Sequence, residues 1–337
     1  MSSILSIEKL NFPWQTQDPF LFCAYHNDHY PKGNGKLGPI DSLSGRQIGS
    51  DFSDKDGWSM YHGQSVPGFP SHPHKGFETI TIAENGLVDH SDSLGAAGRF
   101  GNGDVQWMTA GGGVQHCEMF PLLKEDEPNP LLLFQIWLNL PKASKHVPAH
   151  FAMLWNEDIP LYTHQDASGN TTTVKVISGK LGDIESPSPA PDSFATNTEH
   201  QVAVWLIEMD ANATWELPKT DIGTNRSLYL YQGASTTIGD ETLPNGHVAK
   251  LKADQPTTLT NGSEKAKFLF LQGKPIGEPV AQYGPFVMNT NAEIQEAMQQ
   301  FQRTQFGGWP WPSSSHTHDP ERGRFALHAD GREEIKG

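Results

Sequence analysis

The sequence predicts an all-β chain with a duplicated β-domain and one short helix near its C-terminus. Three observations predict it. Glycine (33) and proline (25) are abundant in 337 residues, as many short strands joined by tight turns require. Strand-type segments ending in glycine recur in two separate blocks. One clear stretch carries helical spacing behind a start signal. Residues 1–65 read as short strands and loops. Residues 76–90 read as a β-hairpin, with Phe77, Thr79 and Thr81 on one face, Glu78, Ile80 and Ile82 on the other, and Asn85-Gly86 as the two-residue turn. Segments 104–109 and 131–138 are further strands, and the second is apolar on both faces, which predicts a buried central position. The Pro/Ser-rich stretch 186–193 reads as a surface connection. Segments 202–209, 227–233 and 267–273 form the second block. Thr290 and Glu293 form a capping box ahead of Ile294, Ala297, Met298 and Phe301, and Gly307-Gly308 ends that helix. The tail beyond it reads as a polar arm over the surface.

Composition narrows the function classes. A formal net charge of −15 argues against direct nucleic-acid contact, since phosphate binding needs a basic surface. Two cysteines, Cys23 and Cys117, cannot build a disulfide framework and fit a reducing compartment. The first residues lack a basic region followed by an apolar core, so no signal peptide is expected. No apolar run approaches the roughly 20 residues of a membrane helix. The expectation is a cytoplasmic monomer without membrane or nucleic-acid partners.

The chemistry concentrates in two pairs, His72-Pro-His74 and His116-Cys-Glu118. Residues i and i+2 of a strand share a face, so each pair can aim into one barrel interior. Two such pairs on facing strands can converge on one ion held by His72, His74, His116 and Glu118. Three histidines and a carboxylate suit Fe(II), and equally Mn, Ni, Co, Cu or Zn. His316-Thr-His318 has the same spacing, but it lies in a Ser/Pro-rich tail with no strand expected after it, and it is not read as a site. Gly33-Asn-Gly-Lys-Leu-Gly38 matches a dinucleotide fingerprint, yet it runs into Pro39 and not into a helix, so the βαβ context fails. The segment 20–31, dense in histidine and aromatics, reads either as a cover over the barrel mouth or as a surface turn beside a strand.

The stretches 72–79, 103–111, 116–119, 135–141 and 282–290 together resemble the pirin family of bicupins, and they span most of residues 15–310. The resemblance implies two cupin (jelly-roll-type) β-barrels packed face to face. It implies one metal, most readily Fe(II), with His72, His74, His116 and Glu118 as ligands. The general cupin spacing H-x-H-x₃-E would nominate Glu78, but in pirins the carboxylate comes from the H-x-E pair. Cys117 then points away from the metal and packs. The expected domains are 1–150 for the metal-binding barrel, 151–288 for a second barrel without metal, and 289–337 for the helix and C-terminal arm.

The resemblance implies two activities of different kinds. One is a quercetin 2,3-dioxygenase-type oxygenation of a small flavonol-like aromatic, with Glu118 as ligand and base. The other is a non-enzymatic, redox-responsive iron protein that regulates through a protein partner. An idle bicupin with a vestigial site is the third reading. Fold alone does not choose among them.

Overall fold

A computed structural model describes residues 2–336. It divides into two compact β units, and neither is a contiguous span. One, which carries the paired histidines, comprises residues 24–156, 190–192 and 278–336. The other comprises residues 2–23, 157–189 and 193–277. These spans differ from the contiguous 1–150, 151–288 and 289–337, because unpaired edge strands take partners distant in sequence. Strand Ile4–Lys9 pairs antiparallel with His247–Leu251. At the other end, Arg324–Leu327 pairs with Ala97–Gly101, and Glu333–Lys336 pairs in turn with Arg324–Leu327. The tail is therefore an ordered part of a sheet.

The histidine-bearing unit contains two large antiparallel sheets and a two-stranded one, Ala281–Tyr283 with Phe286–Met288. Of the large sheets, one runs His150–Leu154, Val105–Thr109, Phe77–Asn85, Asn129–Asn139 and then Phe20–Tyr30, whose residues from 24 onward belong to this unit. The other runs Glu333–Lys336, Arg324–Leu327, Ala97–Gly101, Leu87–Asp92, Val114–Met119, Gly68–His74. The expected hairpin at Asn85-Gly86 does not form. Phe77–Asn85 pairs with Val105–Thr109 and Asn129–Asn139, whereas Leu87–Asp92 pairs with Ala97–Gly101 and Val114–Met119. Gly86 is thus a corner where the chain changes sheets. Both flanking strands are buried for most of their length, and each finds two lateral partners in its own sheet. The corner requires glycine: φ is +84°, and a Cβ would meet the Pro130 carbonyl oxygen at 2.9 Å.

The segment 20–31 is settled by the backbone. Residues Phe20–Tyr30 form a strand, and a buried network hangs from it. Tyr61 donates from its hydroxyl to Asp28 (2.7 Å) and lies 2.8 Å from His26 Nδ1, while the Ser59 amide donates to Asp28. The long connection 31–67 is pinned a second time by Arg46. Its guanidinium lies 3.3 Å from the centre of the Trp58 ring and donates to Asp51 at 3.0 Å and to the Trp58 carbonyl at 2.8 Å. The Gly33–Gly38 fingerprint belongs to this packing: a Cβ on Gly33 would meet the Leu122 carbonyl oxygen at 2.2 Å. Helix α1, Asn291–Thr304, has the expected capping box and buries Ile294 and Ala297.

A buried bidentate pair locks down the C-terminal arm. Arg99 donates from Nε and Nη2 to the two oxygens of Asp89 at 2.7 and 2.9 Å. The same guanidinium donates to the carbonyls of His318, Asp319 and Arg322, and the His318 amide donates to Asp89. One charge pair therefore satisfies the backbone of the turn that leads into Arg324–Leu327.

The second unit has a seven-stranded antiparallel sheet, ordered Ile4–Lys9, His247–Leu251, Asn225–Gln232, Ala266–Gly273, Ala203–Met209, Thr171–Ser178, Leu161–Gln165. A four-stranded sheet, Thr214–Leu217, Thr257–Asn261, Ser235–Ile238, Glu241–Pro244, belongs to the same unit. Trp205, Trp215, Leu228, Phe268 and Phe270 fill its core.

Two predictions follow from these buried charges. Arg99→Met strands the Asp89 carboxylate and should cost about 3–5 kcal/mol. Urea unfolding measures the loss, and trypsin should cut the arm faster; wild-type stability would contradict the clamp. The second concerns Asp51. Burial pushes its carboxyl up, but the Ser53 hydroxyl, the Met60 amide and the Arg46 guanidinium outweigh burial and hold it at about 2. A depressed carboxyl stabilises the fold above its unfolded pKa and loses that contribution as pH falls toward 2. Asp51→Asn should therefore be less stable than wild type at pH 7, with the gap narrowing between about pH 4 and pH 2.

Candidate metal centre

The His72/His74 and His116/Glu118 pairs sit on neighbouring strands of one sheet, not on facing strands. Gly68–His74 pairs antiparallel with Val114–Met119, which puts His72 directly opposite His116. A register shift between Phe69 and His72 sets this alignment, since Phe69 faces Glu118 while His72 faces His116. His74 lies two residues along on the same face. The ring centroids are 4.5 Å apart for His72–His116, 4.7 Å for His72–His74 and 4.8 Å for His74–His116. One ligand nitrogen from each of the three lies within 4.8 Å of the others. The Nε2 atoms of His72 and His116 are 3.1 Å apart, close to the spacing of two neighbouring ligands on one ion with bonds of about 2.1 Å.

The chemistry of the set fits a metal. His74 and His116 are buried and His72 is half-buried. Nε2 of His74 and Nδ1 of His116 are buried without a hydrogen-bond partner. His72 donates from Nδ1 to the Pro70 carbonyl at 2.9 Å, which leaves its Nε2 as the lone-pair nitrogen. Burial pushes the His72 imidazole down to about 4, and burial together with the neighbouring imidazoles pushes His74 and His116 well down. All three are neutral at pH 7, which is the ligating form. A cation held through Nε2 of His74 would give that buried nitrogen a partner, and the Glu118 carboxylate beside the cluster would offset part of its charge.

Glu118 lies beside this cluster. Its Oε2 is 3.7 Å from His116 Nε2. Thr81 donates its hydroxyl to Oε1 at 3.0 Å, and Gln135 donates closely to Oε2. Burial raises the Glu118 carboxyl; the Gln135 and Thr81 hydrogen bonds and the nearby His90 oppose that only in part. Glu78 is elsewhere: it accepts from Trp107 Nε1 at 2.9 Å and Thr109 Oγ1 at 2.7 Å. The alternation of Phe77–Asn85 explains the difference, because Thr81 and Phe77 face the histidines and Glu78 faces the opposite way.

Several residues around the cluster were not singled out by sequence reasoning. Thr81 and Gln135 are cross-strand partners, as are Thr79 and Trp137. Trp137 lies 5.3 Å from His74 and stacks on Phe77 at 4.0 Å. The odd-numbered face of 77–85 was legible, but pairing it to 131–138 required the register. His90 was also missed. It is opposite Glu118 on the next strand, and its ring is 5.5 Å from His116. Cys117 points the other way, into a cluster with Leu37, Val66 and Met119, and burial pushes its thiol up to about 12. His316 and His318 are held apart from the cluster by the arm: His316 stacks on Trp311 and His318 donates to the His90 carbonyl.

The fold and this histidine cluster define a bicupin with a candidate mononuclear metal site. Comparison with known families gives the lineage. The Pirin model matches residues 40–138, and the Pirin C-terminal cupin domain matches residues 204–307. The sequence is 35% identical over 245 residues to a Pseudomonas aeruginosa protein provisionally named quercetin 2,3-dioxygenase, covering 72% of this chain and 80% of that protein. It is 34% identical over 253 residues to Homo sapiens pirin, covering 73% and 80%. Among solved structures, quercetin 2,3-dioxygenase from Acinetobacter baumannii superposes with a TM-score of 0.71 at 30% identity, over 91% of this chain and 99% of that one. The chain belongs to the pirin family.

Metal content tests the cluster directly. Purified protein should carry about one transition-metal equivalent per chain by mass spectrometry. His72→Ala combined with His116→Ala should reduce it at least tenfold while circular dichroism stays unchanged. Undiminished metal in that variant would place the ion elsewhere.

Proposed function

We propose that this chain is a mononuclear iron dioxygenase acting on a flavonol-like aromatic, with His72, His74, His116 and Glu118 as the ligands. The buried cluster of three neutral imidazoles beside one carboxylate carries the reading. The likeness to the Acinetobacter baumannii quercetin 2,3-dioxygenase supports the substrate class. Bound iron would supply Lewis acidity toward a phenolate oxygen and the redox chemistry of dioxygen.

The protein's own residues account for the remaining steps. Half-buried His72 marks the side from which a substrate reaches the cluster, and the Phe69 ring stands 6.4 Å from it. The stacked Phe77–Trp137 pair offers an aromatic wall next to His74. Glu118 accepts the substrate's hydroxyl proton: the phenolic O–H bond breaks and a carboxyl O–H bond forms. Thr81 and Gln135 hold that carboxylate in place and donate to it throughout.

The iron-loaded protein should consume quercetin and dioxygen and release carbon monoxide. Glu118→Gln should lower kcat/KM by about 10²-fold or more. Absence of carbon monoxide from the Fe, Mn, Ni, Co and Cu forms alike would contradict the substrate assignment.

A further inference from the structure

The second unit buries a cation whose partners among the described residues are two carbonyls and the Phe270 ring, 5.3 Å away, with no carboxylate. Arg226 lies on strand Asn225–Gln232 and is 1% exposed. Its Nη2 donates to the Pro218 carbonyl at 2.7 Å and its Nη1 reaches the Lys252 carbonyl at 3.5 Å. Nε is buried with no hydrogen-bond partner. A guanidinium offers five N–H donors in a planar fork, so most of this one's hydrogen-bonding capacity is unused. No carboxylate pairs with it among the described residues, and burial alone pushes it down to about 10. The contrast with Arg99 and Arg46 is direct, because each of those buried guanidiniums has its own aspartate.

Arg226 lines a cavity of about 530 Å³. That volume falls in the range of small-molecule sites. Gln272, the cross-strand partner of Arg226, lines it too, as does Trp205. Lys180 and Lys219 stand on the lining with a single acid, Glu185. Three cations against one carboxylate make this a positive recess on a chain whose net charge is −15. A charge left unpaired in a low-dielectric site is unfavourable unless something compensates it. An anion is the natural complement, and a planar two-oxygen head group matches the fork.

We propose that this cavity is a binding site for a small organic anion, an aromatic or sugar-sized carboxylate or phosphate, with Arg226 as its anchor. The carboxylate or phosphate head sits on the Arg226 fork, Lys180 and Lys219 draw it in, and Trp205 and Gln272 bound its body. The proposal is independent of the metal centre, since every residue it uses lies within the other unit.

Calorimetric titration of the full chain with sodium benzoate and, separately, with inorganic phosphate tests it. At least one should bind saturably at one site per chain, equally in metal-loaded and chelator-treated protein. Affinity should fall at least tenfold in Arg226→Gln, and about threefold or more in Lys219→Ala, whose exposed side chain can be removed without disturbing the core. Arg226→Lys, which keeps the charge and loses the fork, should fall between wild type and Arg226→Gln. Preference for benzoate identifies a carboxylate ligand; preference for phosphate identifies a phosphate ester. No saturation by either anion up to 20-fold above about 1 mM, or affinity unchanged in both Arg226→Gln and Lys219→Ala, would overturn the proposal. If Arg226→Gln fails to fold, Lys219→Ala and Arg226→Lys decide it.

Discussion

The histidine-bearing unit depends on one constraint: polar groups able to ligate a metal occupy positions that a β-barrel would otherwise fill with hydrocarbon. His74, His116 and Glu118 are buried, and buried nitrogens of His74 and His116 lack partners. Each buried, unsatisfied polar group costs on the order of 1–3 kcal/mol. Such an arrangement is stable only if the surrounding fold is strong enough to hold it, or if a bound ion supplies the missing partner. The register of Gly68–His74 against Val114–Met119 creates the constraint. A slip of one residue would turn His72 and His116 to opposite faces.

The rest of the unit reads as support for that register. Thr81 and Gln135 reach Glu118 from the opposing sheet, so the carboxylate is fixed by strands other than its own. The Arg99–Asp89 pair fixes the arm on Leu87–Asp92, the strand beside Val114–Met119. Arg46, Asp51 and Trp58 hold the long 31–67 connection that carries Tyr61, whose ring stacks on Phe69 beside His72. The second unit lacks paired histidines among its described residues, and one of its buried polar groups is a guanidinium that lines a cavity. The two units thus bury different kinds of polar group: neutral imidazoles beside a carboxylate in one, a guanidinium in the other.

Local signals in the sequence were reliable where short-range chemistry decides the outcome. The Thr290–Glu293 capping box, the strand at 131–138 and the shared face of His72 and His74 all depend on neighbours a few residues apart. Long-range pairing was not legible. Asn85-Gly86 has the chemistry of a hairpin turn, but whether its strands pair with each other depends on four other strands competing for the same edges. The same holds for the pairing of Ile4–Lys9 with His247–Leu251 and of Arg324–Leu327 with Ala97–Gly101, each across more than 200 residues of sequence. His90, Thr81 and Gln135 have no motif of their own. Only the cross-strand register brings them to Glu118.

The central claim is that the three imidazoles and Glu118 surround a single ion. Anomalous X-ray diffraction from crystals of the metal-loaded protein, collected at the iron edge, measures this most directly. The account predicts one peak per chain, about 2.0–2.2 Å from a ring nitrogen of His72, His74 and His116 and from a carboxylate oxygen of Glu118. A peak at His316 and His318, or a three-histidine ion that leaves Glu118 on Thr81 and Gln135 alone, would contradict it.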